Sequence, residues 1–259
     1  MTDGLLAGKV AIITGGTSGM GRAGAVRFAR EGATVVVASP QEAEGEKVVA
    51  EIGELGGEAM FTPTDVRAPE AVEALVARTE ERYGAVHVLY ASAGVMLTGT
   101  APDTPEDVYA TLMDVNVGGT FRLARYGIPA LERAGGGAIV LTASELGLVG
   151  ASEAVAYCAS KGAVVNMTRA LAIDCAPLRI RVNCLCPGPI DTPMLREWFD
   201  AGLDPAGLER RQIDPVMLKR LGRPEEIASV AAFLASDASS YMTGAVVAAD
   251  GGATAWYGL

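Results

Sequence analysis

Short apolar runs alternate with longer helix-patterned segments along the whole chain, and few folds accommodate that rhythm. KVAIIT (9–14), ATVVVA (33–38), EAMF (58–61), HVLYA (87–91), GAIVLT (137–142), RIRVNCL (179–185) and AVVAA (245–249) read as strands. Helical stretches over 19–31, 41–55, 69–83, 105–133 and 152–176 fill the intervals. Strands separated by helices pair in parallel through right-handed crossovers. The pattern therefore predicts an α/β, doubly wound (Rossmann-like) parallel sheet of about seven strands with helices on both faces. Gly32, Gly57 and Gly84 stand between a helix and the next strand, where a helix C-terminal glycine belongs.

Half of the residues are hydrophobic and only 5% are aromatic, which suits parallel strands covered on both faces. No repeat or Pro/Ser-rich linker interrupts the chain, so 1–259 is expected to form a single dinucleotide-binding catalytic domain. One stretch breaks the rhythm. Residues 192–222 mix Pro, Gly, both signs of charge and isolated large apolar residues, as expected of short helices forming a substrate lid.

Several function classes fall away. A net charge of -10 disfavours binding to a nucleic-acid backbone. No stretch approaches the roughly 18–20 apolar residues of a membrane span, and MTDGLLAGKV lacks the pattern of a signal peptide, so a cytoplasmic protein is expected. Cys158, Cys175, Cys184 and Cys186 lack paired CxxC spacing, and with one histidine in the chain no metal site is expected. That histidine, His87, reads as a strand-end residue, and no G-x-S-x-G elbow accompanies it, which argues against a Ser-His-Asp hydrolase.

The first strand runs straight into Thr14-Gly15-Gly16-Thr17-Ser18-Gly19-Met20-Gly21. Glycines there let the backbone turn tightly and approach a pyrophosphate above a helix N-terminus. The spacing differs from G-x-G-x-x-G, and an ordinary glycine-rich turn looks the same. Asp65-Val66 ends the third strand and Ala91-Ser92-Ala93-Gly94 the fourth, at the carboxyl edge where open parallel sheets bind ligands. Asp65 would serve equally as a helix cap.

Tyr157 and Lys161 lie four residues apart and share a helix face. An ammonium beside a phenol favours phenolate and lowers the tyrosine pKa from about 10. Such pairs also arise by chance on helix surfaces. This helix, however, spreads Val155, Ala156, Ala159, Val164, Leu171 and Ile173 over more than one face, one for the sheet and one for a partner subunit. Ser144 follows the buried strand AIVLT at the same edge, where it either meets substrate or bonds its own backbone.

Taken together, TGGTSGMG, Asn116 in VNVGG, Ser144, Tyr157-Cys158-Ala159-Ser160-Lys161 and Cys186-Pro187-Gly188-Pro189-Ile190-Asp191-Thr192 resemble the short-chain dehydrogenase/reductase family. The resemblance covers essentially the whole chain, through LGRPEEIA and TGAVVAADGG. It implies an NAD(P)-dependent oxidoreductase that moves a hydride between nicotinamide and a secondary alcohol or ketone. It makes Tyr157 the acid/base, sets Lys161 on the nicotinamide ribose and beside the phenol, and gives Ser144 the reacting oxygen. Asn116 would hold a relay water behind Lys161. Cofactor contacts would fall on Gly15, Thr17, Ser18, Gly19, Met20 and Gly21 of the loop, and on Ser39 after the second strand. Asp65 and Val66 would lie near adenine, Ala91, Ala93 and Gly94 along the groove, and Pro187, Gly188, Ile190 and Thr192 at the nicotinamide end. The resemblance also implies a homotetramer, for which helix 152–176 and segment 227–234 offer apolar surface. A catalytically silent dinucleotide-binding sensor or assembly subunit is the alternative, and the joint presence of Asn116, Ser144, Tyr157 and Lys161 argues against it.

Two departures from the family pattern stand out. Ala91-Ser92-Ala93-Gly94 replaces the usual Asn-Asn-Ala-Gly, and Ser39 stands where NAD-selective relatives carry an acid. With nothing to repel a 2′-phosphate, and with Ser39 and Arg22 able to approach one, NADP is expected to be preferred and NAD tolerated. Ser144, Glu145, Tyr157, Met194 and Trp198 are candidate substrate contacts, with Leu195, Phe199, Leu203, Met96 and Leu146 as further apolar wall. Trp198 and Phe199 would serve equally as anchors of the lid.

Overall fold

The computed structural model describes residues 4–255. The apolar runs form β1 (Val10–Thr14), β2 (Thr34–Ser39), β3 (Ala59–Pro63), β4 (Val88–Ala91), β5 (Gly137–Thr142), β6 (Ile180–Pro187) and β7 (Val246–Ala249). They pair in parallel in the order β3-β2-β1-β4-β5-β6-β7. Between them run α1 (Gly19–Arg30), α2 (Glu42–Glu54), α3 (Pro69–Tyr83), α4 (Glu106–Met113), α5 (Gly119–Arg133) and α6 (Val155–Cys175), followed by α7 (Pro193–Asp200), α8 (Pro205–Ile213) and α9 (Pro224–Ala235).

Alternation along each strand splits the core in two. Ala11, Ile13, Val35 and Val37 pack on one face with Phe28 of α1 and Ala231 of α9. Ile12, Val36 and Leu89 pack on the other with Leu75 of α3, Leu123 of α5 and Val164 of α6. Each large aliphatic side chain buried this way contributes roughly 1.5–3 kcal/mol. The winding direction reverses between β1 and β4, which opens a crevice at their carboxyl ends. Register keeps those ends level: Thr14 lies opposite Ala38 and Ala91, and Leu141 lies opposite Ala91 and Cys184.

Three details differ from the sequence reading. The helix over 105–133 is interrupted by a π turn at Asp114–Gly118, so α4 and α5 are separate elements. Gly119 presses against the loop after β3, where a Cβ would lie 2.7 Å from Val66 Cγ2. Helical periodicity does not register the one-residue shift of a π turn. The left-handed glycine after α2 is Gly56 (φ +77°), not Gly57. In α9, Ile227, Ala228, Ala231, Ala232 and Leu234 are all buried within the chain, and Phe233 is its one exposed large apolar residue. Segment 227–234 therefore does not offer the partner surface expected of it.

The excursion after β6 does hold short helices, α7 and α8. Its neck is closed by two hydrogen bonds, Asp191 N–H to Gly222 carbonyl and Gly222 N–H to Pro189 carbonyl, both 2.9 Å.

Candidate active site

A groove of about 370 Å³ opens at the carboxyl ends of β1, β2, β3 and β4. It brings together Gly15, Thr17, Ser18, Gly19, Met20, Gly21, Ser39, Asp65, Val66, Ala93, Gly94 and Thr192, as the sequence suggested. Ala91 is not among its walls and is buried within β4. Gly188 and Ile190 line a neighbouring cavity, and Pro187 is buried in β6.

Two glycines shape the floor of the groove. Gly15 has φ +69°, and a Cβ there would stand 2.7 Å from the backbone nitrogen and Cα of Ala93. A Cβ on Gly21 would stand 2.1 Å from the Gly15 carbonyl oxygen, so helix α1 can only sit this close to the loop with glycine at that position. No side chain caps α1 and its first turn contains no acid. An uncapped helix N-terminus facing a glycine-rich loop fits a dinucleotide pyrophosphate.

The adenosine end departs from expectation. Ser39 is buried; it accepts from the Thr17 hydroxyl at 3.0 Å and gives its own proton to Gln41 Oε1. It has no proton left for a phosphate. Arg22 turns away to pair with Glu51 at 2.6 Å and is not part of the groove wall. The cation that does line the groove is Arg67, paired with Asp65 at 2.6 Å, and that guanidinium holds the Asp65 carboxyl below its usual range. Sequence reading missed Arg67 and Gln41, because side-chain partners across a loop leave no periodic trace.

In place of the Asn-Asn pair of the resembled family, the β4 edge has three buried hydroxyls, those of Tyr90, Ser92 and Thr142, none with a hydrogen-bond partner among the described residues. The loop beyond is held by Asn116. Its Oδ1 accepts from Val95 N–H at 2.9 Å, and its Nδ2 donates to Val95 carbonyl at 3.0 Å and to Ser160 Oγ at 3.1 Å.

Tyr157 and Lys161 share a face of α6, with Nζ 5.7 Å from the ring centroid. Lys161 is buried and donates to the Thr142 carbonyl at 3.2 Å. Burial pulls its ammonium down to about 8. Burial also pushes the Tyr157 phenol up to about 12; the Ser144 hydroxyl opposes that rise, while Glu145 and Cys158 add to it. The lowered phenol expected from the Tyr157–Lys161 spacing is thus not found in this state. Removing a phenolate from water outweighs the attraction of an ammonium 5.7 Å from the ring.

Ser144 opens a short 3₁₀ turn and its oxygen accepts from Leu146 N–H at 3.2 Å, so the backbone-bonding role foreseen for it is real. Gly147 seats this turn on α6, since a Cβ there would come within 2.8 Å of the Lys161 carbonyl. Next to Ser144, Glu145 has a buried Oε2 without a hydrogen-bond partner. Burial, and then Asp250, push its carboxyl up to about 7.

The apolar residues of the excursion divide by role. Leu195 and Phe199 are buried and anchor α7. Met194 lines the groove, and Trp198 Nε1 donates to Thr98 Oγ1 at 3.3 Å, bridging α7 to the loop after β4. Leu203 is fully exposed and forms no part of a wall.

The chain matches known proteins over nearly its full length. A family profile described as Enoyl-(Acyl carrier protein) reductase matches residues 15–254. Meso-2,3-butanediol dehydrogenase of Serratia marcescens is 39% identical over 95% of both chains. Cyclohexanol dehydrogenase of an Acinetobacter species is 38% identical over 95% of both. The crystal structure of a short-chain type dehydrogenase/reductase from Mycobacterium marinum superposes with a TM-score of 0.91 at 35% identity, over 96% of each chain.

Proposed function

The chain belongs to the short-chain dehydrogenase/reductase family and is an NAD(P)-dependent oxidoreductase of the alcohol/ketone class, and on that premise we propose that Tyr157 is its acid/base. The observation that carries this reading is the meeting of Ser144, Tyr157 and Lys161 beside the dinucleotide groove. When bound, the nicotinamide supplies or accepts the hydride. Ser144 orients the reacting oxygen. Tyr157, holding its proton at neutral pH, delivers it to the alkoxide that develops as a ketone is reduced. Lys161, with its ammonium 5.7 Å from the Tyr157 ring centroid, favours the ionised form of the phenol in the reverse direction. Asn116 frames the space beside Lys161 in which a relay water would stand. A Cβ on Gly94 would sit 3.3 Å from Asn116 Oδ1 and 3.5 Å from Lys161 Nζ, so these groups converge.

Tyr157→Phe tests the reading. Turnover should fall on the order of 10²- to 10⁴-fold while reduced-cofactor fluorescence still reports binding. Near wild-type turnover in an assay limited by chemistry would remove Tyr157 from the mechanism.

The substrate is read as a mainly apolar secondary alcohol or ketone, in keeping with the butanediol and cyclohexanol named for two relatives. Segment 192–222 acts as its lid, Met194 and Trp198 supply the apolar contact, and Glu145 supplies one polar contact. Both nicotinamide dinucleotides are accepted, with NADP favoured. Support for that preference rests on Arg67 and on the absence of a carboxylate at the end of β2, not on the Ser39 hydroxyl. A homotetramer is supported by exposed Tyr109, Phe121, Val155 and Ile173 on α4, α5 and α6. The free thiols of Cys158, Cys175, Cys184 and Cys186 fit the reducing cytoplasm.

A further inference from the structure

We infer that the amino edge of the sheet, opposite the dinucleotide groove, carries a binding site for a small multivalent oxyanion. The four adjacent strands β1, β4, β5 and β6 start side by side, and the residues just before them are Lys9, His87, Gly136 and Arg179. With Arg181 and Asp237 these residues line a cavity of about 470 Å³. The cavity therefore gathers three permanent cations and one carboxylate in a chain whose net charge is -10.

Asp237 is the acid on the cavity wall, and its charge acts on Arg181 without an ion-pair contact. None of the ion pairs among the described residues involves Lys9, Arg179 or Arg181. Arg181 is half-buried and donates to the carbonyls of Leu234, Ser236 and Ser239 and to the Ser239 hydroxyl, all neutral acceptors. A positive centre held by neutral dipoles in a partly enclosed site attracts an anion more strongly than the same charge in open solvent.

His87 adds a directed donor. Its Nδ1 accepts from Val10 N–H at 3.0 Å, which places the ring proton of the neutral imidazole on Nε2. Burial, and then Lys9, hold its pKa below the ordinary value. An anion in the cavity would offset the repulsion from Lys9 and draw a proton onto the ring.

The backbone around the cavity is built at some cost. Arg179 has φ +60°, a left-handed conformation that glycine adopts readily and most other residues do not. Gly136 has φ +125°, and a Cβ there would lie 2.5 Å from the Arg179 carbonyl oxygen. Glycine or asparagine would adopt the Arg179 conformation more readily. What arginine adds is a guanidinium on the cavity wall, the group best matched to phosphate or carboxylate oxygens.

His87 is the only histidine in the chain, so its imidazole proton resonance reports this site alone. The full-length protein is titrated separately with inorganic phosphate and with citrate, the ionic strength being held constant with chloride. A saturable shift of the His87 signal toward the imidazolium position is expected, and the tighter of the two titrations identifies phosphoryl or carboxylate chemistry. Arg179→Asn removes the cation while tolerating the left-handed backbone, and should weaken binding about tenfold or more. Lys9→Gln, at an unstrained position, should weaken it in the same direction and serves if Arg179→Asn does not fold. A His87 shift no larger than chloride alone produces would overturn the site, as would titrations unchanged in the variant or variants that fold.

Discussion

Asn116 Nδ2 donates to Ser160 Oγ across 3.1 Å, and Ser160 Oγ donates in turn to the Tyr157 carbonyl at 2.8 Å. The π turn is thereby tied to the helical turn that carries Tyr157 and Lys161, and the remaining bonds of the Asn116 amide fix Val95. Asn116→Ala leaves the Val95 N–H and carbonyl without these partners, while Ser160 keeps its bond to Tyr157, and a buried group orphaned in this way costs about 1–3 kcal/mol. The expected result is a lower Tm together with a fall in kcat larger than the change in cofactor affinity. Unchanged Tm and kcat in this variant would show that the clamp does not position the site.

The Tyr157 phenol near 12 and the Lys161 ammonium near 8 make different demands on the two reaction directions. Reduction needs a protonated phenol, which persists throughout the neutral range. Its kcat/KM should stay level up to about pH 8 and decline above it as Lys161 loses charge. Oxidation needs the phenolate and should quicken as pH rises. Profiles in both directions check this, and an oxidation rate independent of pH between about 6 and 9 would contradict it.

Glu145 links the site to stability. Its carboxyl binds a proton more tightly in the folded chain, about 7 against 4.5. The stability this contributes is complete below about 4.5 and is lost as pH rises through about 7. Glu145→Gln should therefore gain stability relative to wild type between about pH 5 and 8, by on the order of 1–2 kcal/mol after allowing for partial exposure. Lys161, lowered to about 8, acts in the opposite sense only above that pH, so the two windows separate. Thermal melts of both proteins at the two ends of that range test the effect, and a Tm difference that does not vary with pH would show that Glu145 titrates normally.

The parallel doubly wound sheet and the carboxyl-edge position of the groove were legible because apolar runs, crossover handedness and the carboxyl-edge rule act on local pattern, whereas the order of the strands was not read from the sequence. The Gly15–Gly21 loop and the Tyr157–Lys161 pair were legible because their function depends on short spacing. What escaped depends on side-chain pairing, burial and local backbone detail that leave no periodic trace. The π turn adds one residue without disturbing apolar periodicity. The pairing of Ser39 with Thr17 is settled by how the loops after β1 and β2 meet, and those of Ser39 with Gln41 and of Arg67 with Asp65 by side-chain choice within one loop. The phenol pKa depends on burial depth, which the i, i+4 spacing of Tyr157 and Lys161 does not report.

Cofactor choice turns on the same loops. With the Ser39 proton engaged by Gln41, the group in the groove able to meet a 2′-phosphate is Arg67, held beside Asp65 at 2.6 Å. Arg67→Gln has two effects of the same sign: it removes a cation from the groove and leaves the Asp65 carboxylate unpaired. Both should disfavour the extra negative charge of NADP, lowering its kcat/KM relative to that of NAD by about tenfold, the equivalent of 1.4 kcal/mol. Ser39→Asp should move the ratio the same way by like-charge repulsion, although a carboxylate buried against Thr17 will also cost stability. Comparing kcat/KM for both dinucleotides in wild type and the two variants separates the possibilities. A ratio unchanged in Arg67→Gln would show that the 2′ position lies away from the Asp65–Arg67 pair. A wild type that strongly prefers NAD would overturn the NADP preference itself, because the absence of an acid at the end of β2 would then have no bearing on the choice.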